Sequence, residues 1–134
     1  MPHSDLSLAP RSAFRFEPGA WDRFGVALSG LCAAHCLALP VLLLALPCEV
    51  LGATLHEALH PAIAAFLVPV TLRAARNAPG AGLLHAGLAL VWLAVPTHAF
   101  LGECLGLLLT LVGSGLLISG HRTNLFCRHR EAMD

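Results

Sequence analysis

Lysine is absent from this 134-residue chain, and charged residues of all kinds make up only 12% of it, against roughly a quarter in ordinary soluble domains. The missing charge is also unevenly distributed. Residues 24–48, 58–72, 77–102 and 104–121 contain no Asp, Glu, Lys or Arg. A soluble helical bundle needs a polar face on each helix, and Leu, Ala and Val cover all faces of these stretches. A cleaved secretory signal is not expected either, because the first apolar run is longer than a signal core and follows 23 mostly polar residues. No nucleotide-binding motif is present, which leaves energy coupling unspecified.

What is there, in place of charge, is hydrocarbon: 57% of the residues are hydrophobic. A bilayer core of about 30 Å needs about 20 helical residues. The four charge-free stretches therefore predict an all-α membrane protein with four transmembrane helices in a bundle, spanning about 24–47, 59–76, 82–101 and 104–121. The second stretch is short, and its helix is expected to use Glu57 or His60 at one end while Arg73 and Arg76 snorkel at the other. Residues 1–23 read as a cytosolic N-terminal arm whose Phe14, Phe16 and Trp21 rest at the interface, and residues 122–134 as a basic cytosolic tail.

Because every basic side chain is arginine, orientation follows from one count. Three arginines (Arg11, Arg15, Arg23) precede the first span, none lies in the next connection, two (Arg73, Arg76) follow the second span, none lies near Glu103, and three (Arg122, Arg128, Arg130) follow the fourth. The positive-inside rule then places both termini and the middle connection in the cytosol.

Donor groups for a metal occur at three depths of such a bundle. The stretch "GLCAAHCLALP" places Cys32, His35 and Cys36 inside the first span. Residues four apart on a helix lie one turn above another, so the two thiols share a face with His35 flanking them. Pro40 is expected to free the carbonyl of Cys36 and kink the helix beyond the thiols. Two thiolates make a neutral unit with a divalent ion, which lowers its solvation penalty in hydrocarbon. Thiolate softness favours Hg(II), Cu(I), Cd(II) or Zn(II) over Mg or Ca. Free cysteine is also a common packing residue, and it is the histidine inside a lipid-facing run that favours ligation here.

On the outer side, "HEALHP" spells H-E-x-x-H with His56, Glu57 and His60, the pattern of a zinc protease helix. Pro61 is expected to push His60 out of the helical region and to open the second span, which separates the two histidines. A collecting site for metal, or interfacial histidines on a short loop, are the readings kept, and no enzymatic activity is expected. Cys48 and Cys104 fall on the two outer connections, where an oxidising compartment would let them form a disulfide or serve a metal relay. On the cytosolic side, "HRTNLFCRHR" spaces His121, Asn124 and Cys127 by three, as an exit site or as a basic helix end. Gly25, Ser29, Gly102, Gly106 and Gly113 are expected to let backbones approach.

The first-span "LCAAHCLALPVLLLALP", the four-span profile and the C-terminal His-x-x-Asn-x-x-Cys followed by Arg resemble the MerC mercuric-ion transport proteins of the bacterial inner membrane, over about residues 20–130. The resemblance implies a multi-pass inner-membrane protein that receives Hg(II) at Cys32 and Cys36 and passes it to a cytosolic thiol carrier or reductase. It implies an ion as cargo and no permanently bound cofactor. Two departures stand out. Well-known members carry Cys-x-x-Cys in the first helix where this chain has Cys-x-x-His-Cys, and they end in two cysteines where this chain has Cys127 alone. An added imidazole moves the site towards Zn or Cu. A membrane metal-binding accessory or sensor without transport activity is the competing function. The partners expected are the bilayer, the ion and, where one copy does not suffice, a second copy in a homodimer; no nucleic acid is expected.

Overall fold

In the computed structural model, which describes residues 19–45 and 49–133, with side chains for 19–38, 41 and 58–133, the described residues form four helices and no strand. They are α1 (Ala20–Ala45), α2 (Glu49–Ala74), α3 (Ala81–Phe100) and α4 (Glu103–Glu131). Their Leu and Ala lose little side-chain freedom on becoming helical, so the apolar stretches propagate easily. The boundaries come from a few special residues. Asp22 lies in the first turn of α1, where a carboxylate complements the partial positive charge of a helix start. Asn77 adopts φ 54° just beyond α2, a left-handed conformation that Asn tolerates at helix ends. Gly102, with φ 102°, reverses the chain between α3 and α4. It meets nothing within 4 Å of where a Cβ would sit, so it serves the turn and not close packing as expected from the sequence.

Helix α2 corrects one reading of the sequence. Pro61 and Pro69 both lie inside it, and the helix runs unbroken from Glu49 through His60. The bias of a pre-proline residue against helix is small beside the hydrogen bonds that keep a long apolar segment helical. Neighbouring helices and local adjustment make prolines tolerable in such surroundings. Helix α4 is also longer than its charge-free stretch. Its 29 residues extend about 43 Å at the usual rise per residue, so the arginines from Arg122 onward ride on a helix that continues the last apolar turns.

Each helix packs on its sequence neighbour, and α1 packs on α4, closing a ring in which α2 and α4 only touch across the middle. One end gathers the start of α1, the end of α2, the start of α3 and the last part of α4: Asn124 of α4 bonds the Ala74 carbonyl and the Gly80 N–H, and the Arg73 guanidinium lies 5.6 Å from the centre of the Trp21 ring. Helices α3 and α4 approach most closely. A Cβ on Gly87 would sit 2.7 Å from the Gly113 carbonyl oxygen, and one on Gly113 would sit 2.9 Å from that of Gly87. Small residues at such crossings let backbones meet, the usual basis of helix association in lipid.

The outside of the ring is as apolar as its inside. Phe24, Leu31, Phe66, Trp92, Leu108 and Val112 are among the large hydrophobic side chains that point outward, an arrangement that water would penalise and hydrocarbon would not. Helices α3 and α4 are long and apolar enough to cross a membrane; the apolar part of α2, Ala58–Ala74, is shorter.

Candidate metal centre

Cys32 and Cys36 lie one turn apart on α1, and both are 1% exposed. Their spacing puts them on one face, and α1 turns that face to α2 and α4. His60 comes from α2 and is 4% exposed. One donor atom from each of these three residues lies within 4.8 Å of the other two. That is close enough for a single ion to reach all three, because metal–sulfur and metal–nitrogen bonds are about 2.0–2.3 Å long. The Thr110 hydroxyl of α4 is 3.3 Å from His60 Nε2 and donates to the Gly106 carbonyl at 3.0 Å, which ties the imidazole to a third helix.

His98 of α3 packs edge-on against His60, with ring centres 5.1 Å apart and planes at 87°. Gly106 makes room for it: a Cβ there would sit 2.5 Å from His98 Cγ. Below the thiols, Ser114 of α4 turns its buried hydroxyl towards Cys32. Two soft donors and one borderline donor, with no carboxylate among them, suit a thiophilic divalent ion and not Mg or Ca.

The residues singled out in the sequence separate clearly. Cys32, Cys36 and His60 come together; His35 does not join them. At 100° per residue, His35 lies about 60° from Cys32 and about 100° from Cys36 around the helix axis, and it is half-buried on the flank of the site. His60 reaches the thiols because α2 stays helical through Pro61, the opposite of what the proline suggests locally. His56 lies on α2, but its side chain is outside the described residues, and so is Cys48, the proposed partner of the exposed Cys104. Cys127 is half-buried near the end of α4. His121 is fully buried at the end of the bundle where α1 begins, and its Nδ1 lies 3.0 Å from Asp22 Oδ1.

Asp22 was not legible as a functional residue. It belongs to a polar leader in the sequence, yet in the fold it is 1% exposed, accepts hydrogen bonds from His121 and Asn124, and faces Arg128 at 3.6 Å. The three-residue spacing of His121 and Asn124, which puts both on one face of α4, was the available signal that something buried and polar awaited them.

A ring of four helices with an apolar outside, around a buried two-thiol, one-imidazole cluster, defines a helical protein of membrane character whose three donors lie close enough to hold a metal ion. The chain belongs to the MerC family: the family model, described as MerC mercury resistance protein, matches residues 22–126. No curated protein and no solved structure matches the chain.

Proposed function

We propose that this protein is a multi-pass carrier of the bacterial inner membrane that moves a soft divalent ion, Hg(II) as the family suggests, into the cytosol through the Cys32–Cys36–His60 site. The observation that carries this reading is the convergence of three buried donors from two helices within 4.8 Å. Two thiolates cancel the charge of the ion, and a neutral imidazole adds a bond without adding charge, so the loaded site is electrically neutral at a depth where a charge would be costly. The count of arginines, three, zero, two, zero, three along the chain, supports four spans with both termini inside. It agrees with the way Asp22, Ala74, Gly80 and Asn124 meet at one end of the bundle.

The two-helix origin of the ligands suits transport better than storage, since an ion shared by α1 and α2 is released when the two separate. On the cytosolic side a thiol carrier or reductase would take the ion by ligand exchange, without change in its oxidation state.

Uptake of Hg(II) into proteoliposomes containing the purified protein tests the proposal. Wild type is expected to load the lumen, and Cys32→Ser or Cys36→Ser to abolish loading. Metal binding with an empty lumen in wild type would make the protein an accessory or sensor; full uptake in the Cys32→Ser/Cys36→Ser variant would refute the site. Maleimide labelling of Cys104 from outside and of Cys127 only after permeabilisation is the expected topology result.

A further inference from the structure

The cytosolic end of the bundle holds an imidazole whose chemistry the three-residue site does not use. His121 is 0% exposed, and its Nδ1 faces Asp22 Oδ1 at 3.0 Å. A carboxylate only accepts, so Nδ1 carries the hydrogen and, in the neutral ring, the lone pair resides on Nε2. That nitrogen is buried and has no hydrogen-bond partner. The ring packs against Gly25 of α1, where an added Cβ would fall on the ring itself. Leaving such an atom unsatisfied in the interior is costly, and the neighbouring groups are not arranged to relieve it: Asp22 is committed to Nδ1, to Asn124 and to Arg128, and no other charged group among the described residues contacts the ring.

A carboxylate on Nδ1 with Nε2 left without a partner is the arrangement in which proteins hold ligating histidines. Ligating histidines almost always give their second ring N–H to a carboxylate or carbonyl, which fixes the tautomer and raises the basicity of the ligating nitrogen. A second observation connects this nitrogen to the thiols. Between Cys32 and the end of the bundle, the buried hydroxyl of Ser29 on α1 also lacks a hydrogen-bond partner, and that of Ser114 on α4 faces Cys32. Cys32 lies ten residues beyond Asp22, and Ser114 lies seven before His121, which at the helical rise places the serines about 10 Å inside the His121 level and Cys32 about 15 Å inside it. Buried hydroxyl oxygens thus lie between the metal site and this end of the bundle, and His121 Nε2 stands beyond them.

We propose that His121 Nε2 is a second coordinating atom for the transported ion, a waypoint reached from Cys32 past Ser114 and Ser29 and held in its ion-accepting form by Asp22. The inference rests on the transport reading above. Because the two positions are about 15 Å apart, both metal–sulfur bonds break before the metal–nitrogen bond forms: the two thiolates take back the two protons that metal binding displaced, and the ion stays divalent. Since His121 has no solvent-accessible surface, the ion reaches it from within the bundle. Asp22 is a positioning residue here, and Asn124 and Arg128 hold Asp22.

The test uses the full chain in lipid nanodiscs with Cys48, Cys104 and Cys127 replaced by Ser and with ¹⁵N-labelled histidine, titrated with Hg(II) alone. The first equivalent is expected to produce thiolate-to-mercury absorption, and the second to move one nitrogen resonance that is missing in His121→Gln. Asp22→Asn keeps the shape but offers an N–H to Nδ1 and drives the ring hydrogen to Nε2. It is expected to abolish that resonance shift and to lower uptake about tenfold, the range seen when the outer partner of a ligating histidine is lost, with the thiolate absorption unchanged. A His121 resonance that ignores two equivalents of Hg(II), or wild-type uptake in Asp22→Asn, overturns the inference. Loss of the thiolate absorption in the parent chain would overturn the proposed function instead, and it is read on a separate channel.

Discussion

Replacing Asn124 with Ala should loosen all four helices at once, and the size of the loss follows from the bonds removed. The side chain is fully buried; its Nδ2 donates to Asp22 Oδ1 at 2.9 Å and to the Ala74 carbonyl at 3.3 Å, while its Oδ1 accepts from the Gly80 N–H at 2.8 Å. Inter-helix hydrogen bonds in membrane bundles average about 0.6 kcal/mol each, so three of them give a floor of about 2 kcal/mol. The ceiling is set by what is left behind. An orphaned buried donor or acceptor costs about 1–3 kcal/mol, so the Gly80 N–H and the partly stripped Asp22 carboxylate raise the expected loss to about 4 kcal/mol. Unfolding of purified protein by SDS titration in mixed micelles, followed by helix signal, measures it. A double-mutant cycle with Asp22→Ala should return a coupling of about 1 kcal/mol, as expected for groups in direct contact. A loss for Asn124→Ala under about 0.5 kcal/mol, within the range of an ordinary surface change, would refute the view that this residue fastens its end of the bundle.

Two further outcomes test the site and its packing. Thr110→Val removes the hydroxyl beside His60 Nε2 with little change in volume, so Cd(II) affinity measured by calorimetry should fall about tenfold or more, as when the outer partner of a ligand is lost, while Hg(II) held by the two thiols is affected less. Gly113→Ala sets a methyl group 2.9 Å from both the Gly87 carbonyl oxygen and Val91 Cγ2; overpacking of this kind should lower stability by about 1–3 kcal/mol in the same SDS titration, whereas Gly115→Ala, with open space around it, should not.

Hydropathy and charge carried much of the architecture because helix is the favoured answer for long apolar stretches, and four of them were visible as gaps in the charge pattern. The thiol pair was legible for a similar reason: a four-residue spacing means one face on any helix. The third donor was legible as a candidate ligand but not as a partner of the thiols. Local rules made His35 the natural partner of Cys32 and Cys36 and left His60 as an outer collecting site or a loop histidine, because Pro61 reads as a boundary when only its neighbours are considered. The tertiary setting decided otherwise. Once α2 continues through the proline, His60 is carried inward on a helix packed against α1, and His35 is left on the flank. Asp22 escaped for a different reason, since burial of an acid depends on partners about a hundred residues away, His121 and Asn124, and no local pattern reports such distances.

Pro61 follows His60 directly, inside α2. Lacking an N–H, it leaves the carbonyl one turn earlier without its helical bond and makes that turn the easiest place for the helix to bend. His60, the candidate donor that α2 contributes among the described residues, therefore sits on the joint of its own lever. In the proposed function, an ion that pulls the imidazole towards the thiols would work against a compliant spring rather than a rigid rod, so the third bond is given up by straightening or bending one turn before either thiolate leaves. If the site carries a thiophilic ion as proposed, this joint lets the imidazole come and go mechanically, while the two metal–sulfur bonds still break by exchange with other thiols.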